Sequence, residues 1–209
     1  MKRDFHITIL FVAIVAVFIS CSKEPENTIV NLKTAITGEI NTYATYKKFE
    51  QQAKDEGYRR IANLFEAAAE AEAIHAKNHN AVLKKLGEPE FKPDPVTSAV
   101  KSTVENLQAA VDGENYEYEE VYPGFIHTAQ KEKCGDAVDS FTWANKAEEN
   151  HEGWFFDAVE ILKEKKNDQT VPRVWFVCVQ CGGLFIEKFS KCKICGQGFY
   201  VPSVFETEP

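Results

Sequence analysis

Residues 72–75 read Glu-Ala-Ile-His and residues 148–151 read Glu-Glu-Asn-His. Residues three apart are neighbours on one face of an α-helix, so each stretch presents a carboxylate beside an imidazole. A single such pair in an acid-rich helix says little. Two of them, each in the middle of a long segment without turn signals, decide how the chain around them is read.

Four such segments follow one another from Thr28. The first runs to Glu56 and stops at Gly57, and the second runs from Tyr58 to Leu86 and stops at Gly87. Glu88-Pro89-Glu90-Phe91-Lys92-Pro93-Asp94-Pro95 then forms an extended connection, because prolines at this density exclude a helix. A third helix is expected from Thr97 or Ser98 to about Cys134, then a break at Gly135-Asp136, then a fourth helix from Ala137 to Lys165. Apolar residues recur at helical spacing, as in Ile61, Leu64, Phe65, Ala68, Ala69 and Ile74. Helices of about 28 residues, roughly 42 Å long, with tight breaks inside each pair and one longer middle connection describe a mainly α fold, a four-helix bundle over residues 28–167.

Heights in that bundle follow from counting. Glu39 lies 18 residues before Gly57 and Glu72 lies 15 after it, nearly level in an antiparallel hairpin. In the second hairpin Glu114 and Glu117 precede Gly135 by 21 and 18 residues, while Glu148 and His151 follow it by 13 and 16. Two Glu-x-x-His pairs facing glutamates of the other two helices form the ligand pattern of di-iron carboxylate bundles. Hard oxygens and imidazole nitrogens suit iron or manganese, and so many buried carboxylates without cations would be forced to protonate. Glu66, Glu70, Glu119 and Glu120 point off this stripe. His79, two turns beyond Glu72 on nearly the same face, reads as a histidine behind the ligands or at an interface, and Cys134 as a partly buried thiol.

The segment 172–205 contains Cys178-x-x-Cys181 and Cys192-x-x-Cys195, separated by ten residues, with Gly182 and Gly196 after the second cysteine of each pair. Two such turns present four thiolates to one ion, which this spacing favours over two disulfides, and both iron and zinc accept four thiolates. At the other end Met1-Lys2-Arg3 precedes an apolar run from Ile7 to Ile19, too short to span a bilayer comfortably and suited to a signal peptide over 1–20. Phe18-Ile19-Ser20-Cys21 resembles the lipobox of bacterial lipoproteins; that implies a lipid on Cys21, a polar tether over 21–27 and an exported, membrane-anchored protein of the cell envelope. A net charge of −8, from 32 acidic and 24 basic residues, and no basic stripe with interleaved aromatics exclude nucleic acid as a partner.

From about Val30 to Phe205 these motifs resemble, in order, those of the rubrerythrin family, a ferritin-like di-iron domain followed by a rubredoxin-like domain. The residues that carry the likeness are Gly38-Glu39 with Tyr46 seven positions on, Glu72-Ala73-Ile74-His75-Ala76-Lys77, and Glu148-Glu149-Asn150-His151-Glu152. The most specific stretch is Gly113-Glu114-Asn115-Tyr116-Glu117, leading to Val121-Tyr122-Pro123. The resemblance implies that Glu39, Glu72, Glu114, Glu117, Glu148 and His151 hold two irons and that His75 and Glu117 exchange on one of them with redox state. It implies that Tyr46 and Tyr122 hydrogen-bond the ligand carboxylates, a role Tyr43 could share. It further implies that hydrogen peroxide is reduced to water, that iron at the four cysteines relays the electrons, and that a head-to-tail homodimer lets one subunit's cysteine domain serve the other's di-iron site. Two departures are Lys193, where rubredoxins commonly have proline, and the apparent export, which leaves the electron donor unknown. The alternatives are ferritin-like iron oxidation and binding at the envelope, or structural zinc in both sites.

Overall fold

The computed structural model describes residues 25–197 and 203–206; the signal segment and Cys21 lie outside the described residues. Helix α1 (Glu26–Asp55) starts inside the expected tether. The reason lies across the bundle: the Glu132 carboxylate accepts from the backbone N–H of Asn27 (3.3 Å) and Thr28 (2.8 Å), groups that a helix start leaves without partners. At the other end of α1, Gly57 takes φ +86° and the Tyr58 N–H reaches back to the Ala53 carbonyl at 2.8 Å. A left-handed residue closing a helix in this way is where glycine is least costly. Helix α2 (Arg59–Lys85) ends in the same manner at Gly87.

A strap over residues 86–102 then runs along the outside of the first hairpin. The Asn80 side chain pairs with both backbone groups of Phe91 (3.0 and 2.8 Å), Val96 N–H donates to Asn41 at 2.7 Å, and Ser98 N–H donates to Thr45 at 3.2 Å. These bonds hold residues 96–98 extended, so helix α3 (Thr103–Tyr116) begins later than Thr97 or Ser98 would have allowed. Ser102 and Glu105 form a reciprocal capping box at its start.

The third bundle helix is not a single α-helix. Helix α3 passes into a π-helical turn, Glu117–Val121, and then into α4 (Tyr122–Lys131). The Tyr122 N–H donates to the Glu117 carbonyl five residues back. Pro123 has no N–H for the Tyr118 carbonyl, which accepts instead from Asn145 Nδ2 at 2.7 Å. The turn absorbs about one residue: eight positions apart, Glu114 and Tyr122 would be about 80° out of phase on a regular helix, whereas a seven-residue phase leaves about 20°. Both side chains are buried, at 1% and 2% exposure. Helix α4 ends before Cys134 because Lys133 adopts φ +59° and Cys134 N–H bonds the Ala129 carbonyl at 2.9 Å. Gly135 therefore starts α5 (Gly135–Lys165) instead of breaking the chain.

Two aromatic clusters fill the bundle on either side of a polar middle. Tyr46, Phe49, Phe65 and Phe155 pack with ring centroids 5.3 to 6.2 Å apart. Tyr122, Phe125 and Phe141 form the second cluster around His79. The C-terminal segment is a small antiparallel sheet in which β1 (Val174–Val177) lies between β2 (Leu184–Phe185) and β3 (Ser203–Glu206). Trp175 of β1 is fully buried and meets Trp154 of α5 edge-on at 5.0 Å. Helix side chains dock this segment on the bundle: Asn63 Nδ2 donates to the Arg173 carbonyl (3.0 Å), Asn78 Nδ2 to the Gln180 carbonyl (2.7 Å) and Leu184 N–H to Asn150 Oδ1 (2.7 Å). Among the described residues no helix is long and apolar enough to cross a membrane.

Candidate metal centres

The four bundle helices converge on two overlapping sets of ligands. Glu39 of α1, Glu72 and His75 of α2 and Glu148 of α5 each offer an atom within 4.8 Å of the others, and so do Glu72, Glu114, Glu148 and His151. Glu72 and Glu148 belong to both sets, the position of bridging carboxylates. All six side chains are at most 1% exposed. Counting along the helices had levelled these residues, and the structure brings six of the seven expected ligands together.

Their hydrogen bonding shows that the pocket fits metal. Glu39 Oε2, Glu72 Oε1, Glu114 Oε2, both Glu148 oxygens and His151 Nδ1 are buried without a hydrogen-bond partner. Six uncompensated acceptor positions converging on one dry space are costly, and two divalent cations would satisfy them together. Their charges are correspondingly unsettled. Burial and repulsion from Glu148, Glu114 and Glu39 push Glu72 well up. Burial drives Glu114 up to about 7 against the attraction of His151. Burial opposes charge on His151, yet the neighbouring Glu114 and Glu148 raise it to about 9. Burial is the largest influence on Glu39 and Glu148 and would raise them too, but the His75 charge and the neighbouring histidines, His79 for Glu39 and His151 for Glu148, together outweigh it and both end lowered.

The tyrosines stand where the resemblance places them. Tyr46 donates to Glu114 Oε1 at 2.6 Å, and Tyr122 makes a short bond to Glu39 Oε1. Tyr43 does not share the role, being 41% exposed on the outer face. Glu117 is the expected ligand that stays outside both sets: it is only partly buried, and His75 Nδ1 occupies the ligand space, 2.9 Å from Glu148 Oε1 and 3.2 Å from Glu72 Oε2. Glu117 lines a cavity of about 640 Å³ shared with Gly38, Glu39, Glu120 and Tyr122. Burial, then repulsion from Glu39 and Glu148, raises its pKa well above the carboxylate range.

The four cysteine sulfurs also lie within 4.8 Å of one another, and none is in a disulfide. The Gly182 N–H bonds the Cys178 carbonyl at 2.8 Å and the Gly196 N–H bonds the Cys192 carbonyl at 3.0 Å, two turns that point paired sulfurs into one space. Hydrogen bonds from Cys178 and Cys181 lower the Cys192 thiol to about 2, while bonds to Cys178 and Cys192 push Cys181 up. One turn rests directly on the other site: His75 Nε2 lies 3.0 Å from the Cys181 carbonyl, and His151 Nε2 lies 3.1 Å from the Gly182 carbonyl. Carbonyls only accept, so each Nε2 carries a proton and each Nδ1 is turned to the ligand space. Gly182 has φ +74°, and a Cβ on it would collide with His75 Nε2. Ser140, Asn145 and Asn150, which hold His79, the π turn and β2, gave no signal in the sequence: a lone serine or asparagine within a helix has no spacing pattern, and each finds its partner on another element.

A ferritin-like bundle with two carboxylate and histidine ligand sets, joined to a rubredoxin-like four-cysteine site, defines a class of di-iron oxidoreductase. The rubrerythrin family model matches residues 30–159. Nigerythrin of Nitratidesulfovibrio vulgaris is 36% identical over 170 residues, 81% of this chain and 82% of that protein. Rubrerythrin-2 of Clostridium acetobutylicum is 35% identical over 79% of this chain and 89% of its own length. A nigerythrin structure in a mixed-valence state superposes with a TM-score of 0.77 at 33% identity, covering 91% of each chain. The chain belongs to the rubrerythrin family, and its cofactors are a di-iron centre and a metal held by Cys178, Cys181, Cys192 and Cys195.

Proposed function

We propose that this protein reduces hydrogen peroxide to water, H2O2 + 2 e⁻ + 2 H⁺ → 2 H2O, at the bundle site, with electrons entering through the four-cysteine site. The observation that carries the reading is the contact of Cys181 and Gly182 carbonyls with the Nε2 atoms of His75 and His151. Cys181 is at once a thiolate ligand of one site and a hydrogen-bond partner of a ligand histidine of the other. The di-iron pair supplies two electrons and charge stabilisation for oxygen when bound. The chain's own residues do the rest. Glu39, Glu72, Glu114 and Glu148 fix the pocket, Tyr46 and Tyr122 hold two of those carboxylates by one oxygen each, and the aromatic clusters exclude water. Glu117, facing a cavity and drawn toward its protonated form, is placed to exchange with His75 and to hold a proton near the reacting oxygens.

The test is to load the full chain with iron anaerobically, reduce it and add hydrogen peroxide. Oxidation of both centres, with two electrons consumed per peroxide, supports the reading; reduced centres beside persisting peroxide overturn it. Oxygen-driven uptake of iron beyond the bound stoichiometry would favour ferritin-like storage instead, and a colourless protein with zinc at the cysteines would remove the relay. We also propose that lipidated Cys21 tethers the domain to a membrane of the cell envelope, since α1 begins five residues after it. Cys21→Ser is expected to release the protein from the membrane fraction, and unchanged fractionation would refute the tether.

A further inference from the structure

Behind Glu39 and Tyr122 stand two buried polar groups, His79 and Ser140, that the proposed function does not use. Tyr122 gives its only proton to Glu39 Oε1. His79 Nε2 lies 3.1 Å from the Tyr122 oxygen, and His79 Nδ1 lies 2.8 Å from Ser140 Oγ. His79 is 0% exposed and Ser140 4%. Because the Tyr122 hydrogen is committed to the carboxylate, the tyrosine oxygen must accept from His79, so Nε2 carries the ring proton. Nδ1 is then the acceptor, and Ser140 gives it the hydroxyl proton. The donors run one way, from Ser140 to His79 to Tyr122 to Glu39. At the end of the row Oε1 of Glu39 is occupied, while Oε2 has no hydrogen-bond partner and faces the ligand set. No comparable pair of polar groups backs Tyr46, whose hydroxyl bonds Glu114 from within a phenylalanine cluster.

We infer that His79, oriented by Ser140 and protonated at Nε2, is a positioning residue that locks Tyr122 onto Glu39 and thereby selects the oxygen with which Glu39 meets its metal. The lock serves one of the two metal positions, the one that Glu39 and His75 contribute to, and leaves the Glu114 and His151 position alone. This inference rests on the reading of the pocket as a two-metal site but not on its reactivity.

The test therefore uses the full chain with zinc in both sites, which is diamagnetic and redox-silent. Proton–nitrogen correlation spectra of the histidine rings are expected to show His79 protonated at Nε2 and bare at Nδ1. Metal competition should find one of the two bundle zinc ions weakened about tenfold in His79→Leu, the scale of losing a ligand's outer partner. His79→Gln carries an N–H close to where Nε2 stood and should restore most of the affinity. A His79 protonated at Nδ1, an unchanged affinity in His79→Leu, or equal losses in the leucine and glutamine variants would each overturn the lock; the last would make His79 mere packing. Should His79→Leu not fold, Ser140→Ala decides the matter: weakening of the same zinc ion supports the inference, and an unchanged affinity refutes it. Peroxide reduction could fail altogether without altering any of these results.

Discussion

Tyr46 reaches Glu114 Oε1 at 2.6 Å from inside a cluster of phenylalanines, so its bond to a buried carboxylate is made where water cannot replace it. Tyr46→Phe keeps the packing and removes the donor, which costs about 1.5–3 kcal/mol for a charged partner. We expect metal affinity at the bundle to fall about 10- to 100-fold, measured by chelator competition, with helix content unchanged. Protonation of the same residues gives a second expectation. Glu114 rises from 4.5 to about 7 on folding, so in the metal-free protein its contribution is fully present below pH 4.5 and is lost as the pH climbs to about 7. His151 rises from 6.5 to about 9, so its contribution is lost between those values. The lowered Glu39 and Glu148 matter only as pH falls below their ordinary 4.5 and do not offset this trend. With the four cysteines holding metal and the bundle empty, the protein should therefore lose thermal stability from pH 6.5 to 9, above the range in which the lowered His79 opposes the trend. The metal-loaded protein should gain on it over the same range, because ligands must shed protons to bind. Melting curves of the two forms that run parallel with pH would contradict this.

Among the elements, the π turn and the Cys178–Gly182 turn do most to place the ligands. Deleting Glu119, an exposed residue of the π turn, would give a regular helix in which Glu114 and Tyr122 stand seven positions apart and keep their phase of about 20°. Tyr122 should then stay on Glu39 and the bundle should still hold two irons per chain; iron falling below two per chain, with circular dichroism still reporting a helical protein, would contradict this reading of the turn. The turn could be foreseen only in part. Glu114, Glu117 and Tyr122 fall on one continuous expected helix, and no spacing in the sequence shows that the Tyr118 carbonyl, left without the N–H of Pro123, would be met by Asn145. Glu117, expected from the resemblance to exchange with His75, stands at the cavity edge while His75 occupies the ligand space. What repeats along the chain was legible: the helix periods, the two Glu-x-x-His pairs and the paired cysteines. What depends on one side chain reaching another element was not: Glu132 starting α1 early, or Thr45 and Asn41 holding the strap extended until Ser102. At the cysteine turn, Gly182→Ala would meet both a left-handed backbone, costing about 1–2 kcal/mol, and His75 Nε2. Both sites should still load, and the reduced bundle site should still be oxidised by peroxide. Its re-reduction from the four-cysteine site should slow, seen in stopped-flow spectra as a cysteine-bound iron that stays reduced.

For the molecule as a whole the question is which bundle each cysteine domain serves. Resemblance to the family implies a head-to-tail pair with service between subunits. Yet a single chain already makes the contact: α2 and α5 side chains anchor the sheet through Asn63, Asn78, Asn150 and Trp154, and the turn so placed meets both ligand histidines of the same chain. Burial of Trp175 against Trp154 adds an apolar lock that a loosely held domain would not form. If electrons pass within the chain, two inactive variants cannot rescue each other. Glu72→Gln disables one of the two ligands shared by both sets, and Cys181→Ser disables the relay. Unfolded together, refolded and loaded with iron, their mixture should show no more sustained peroxide turnover than the two alone, and the wild-type relay rate should not change on dilution. Recovery of about a quarter of wild-type activity is the fraction of complementary bundle and cysteine-domain pairings that random exchange between subunits would give. Such recovery would mean that the cysteine domain crosses to a partner and that the intrachain contact is the same interface made at home.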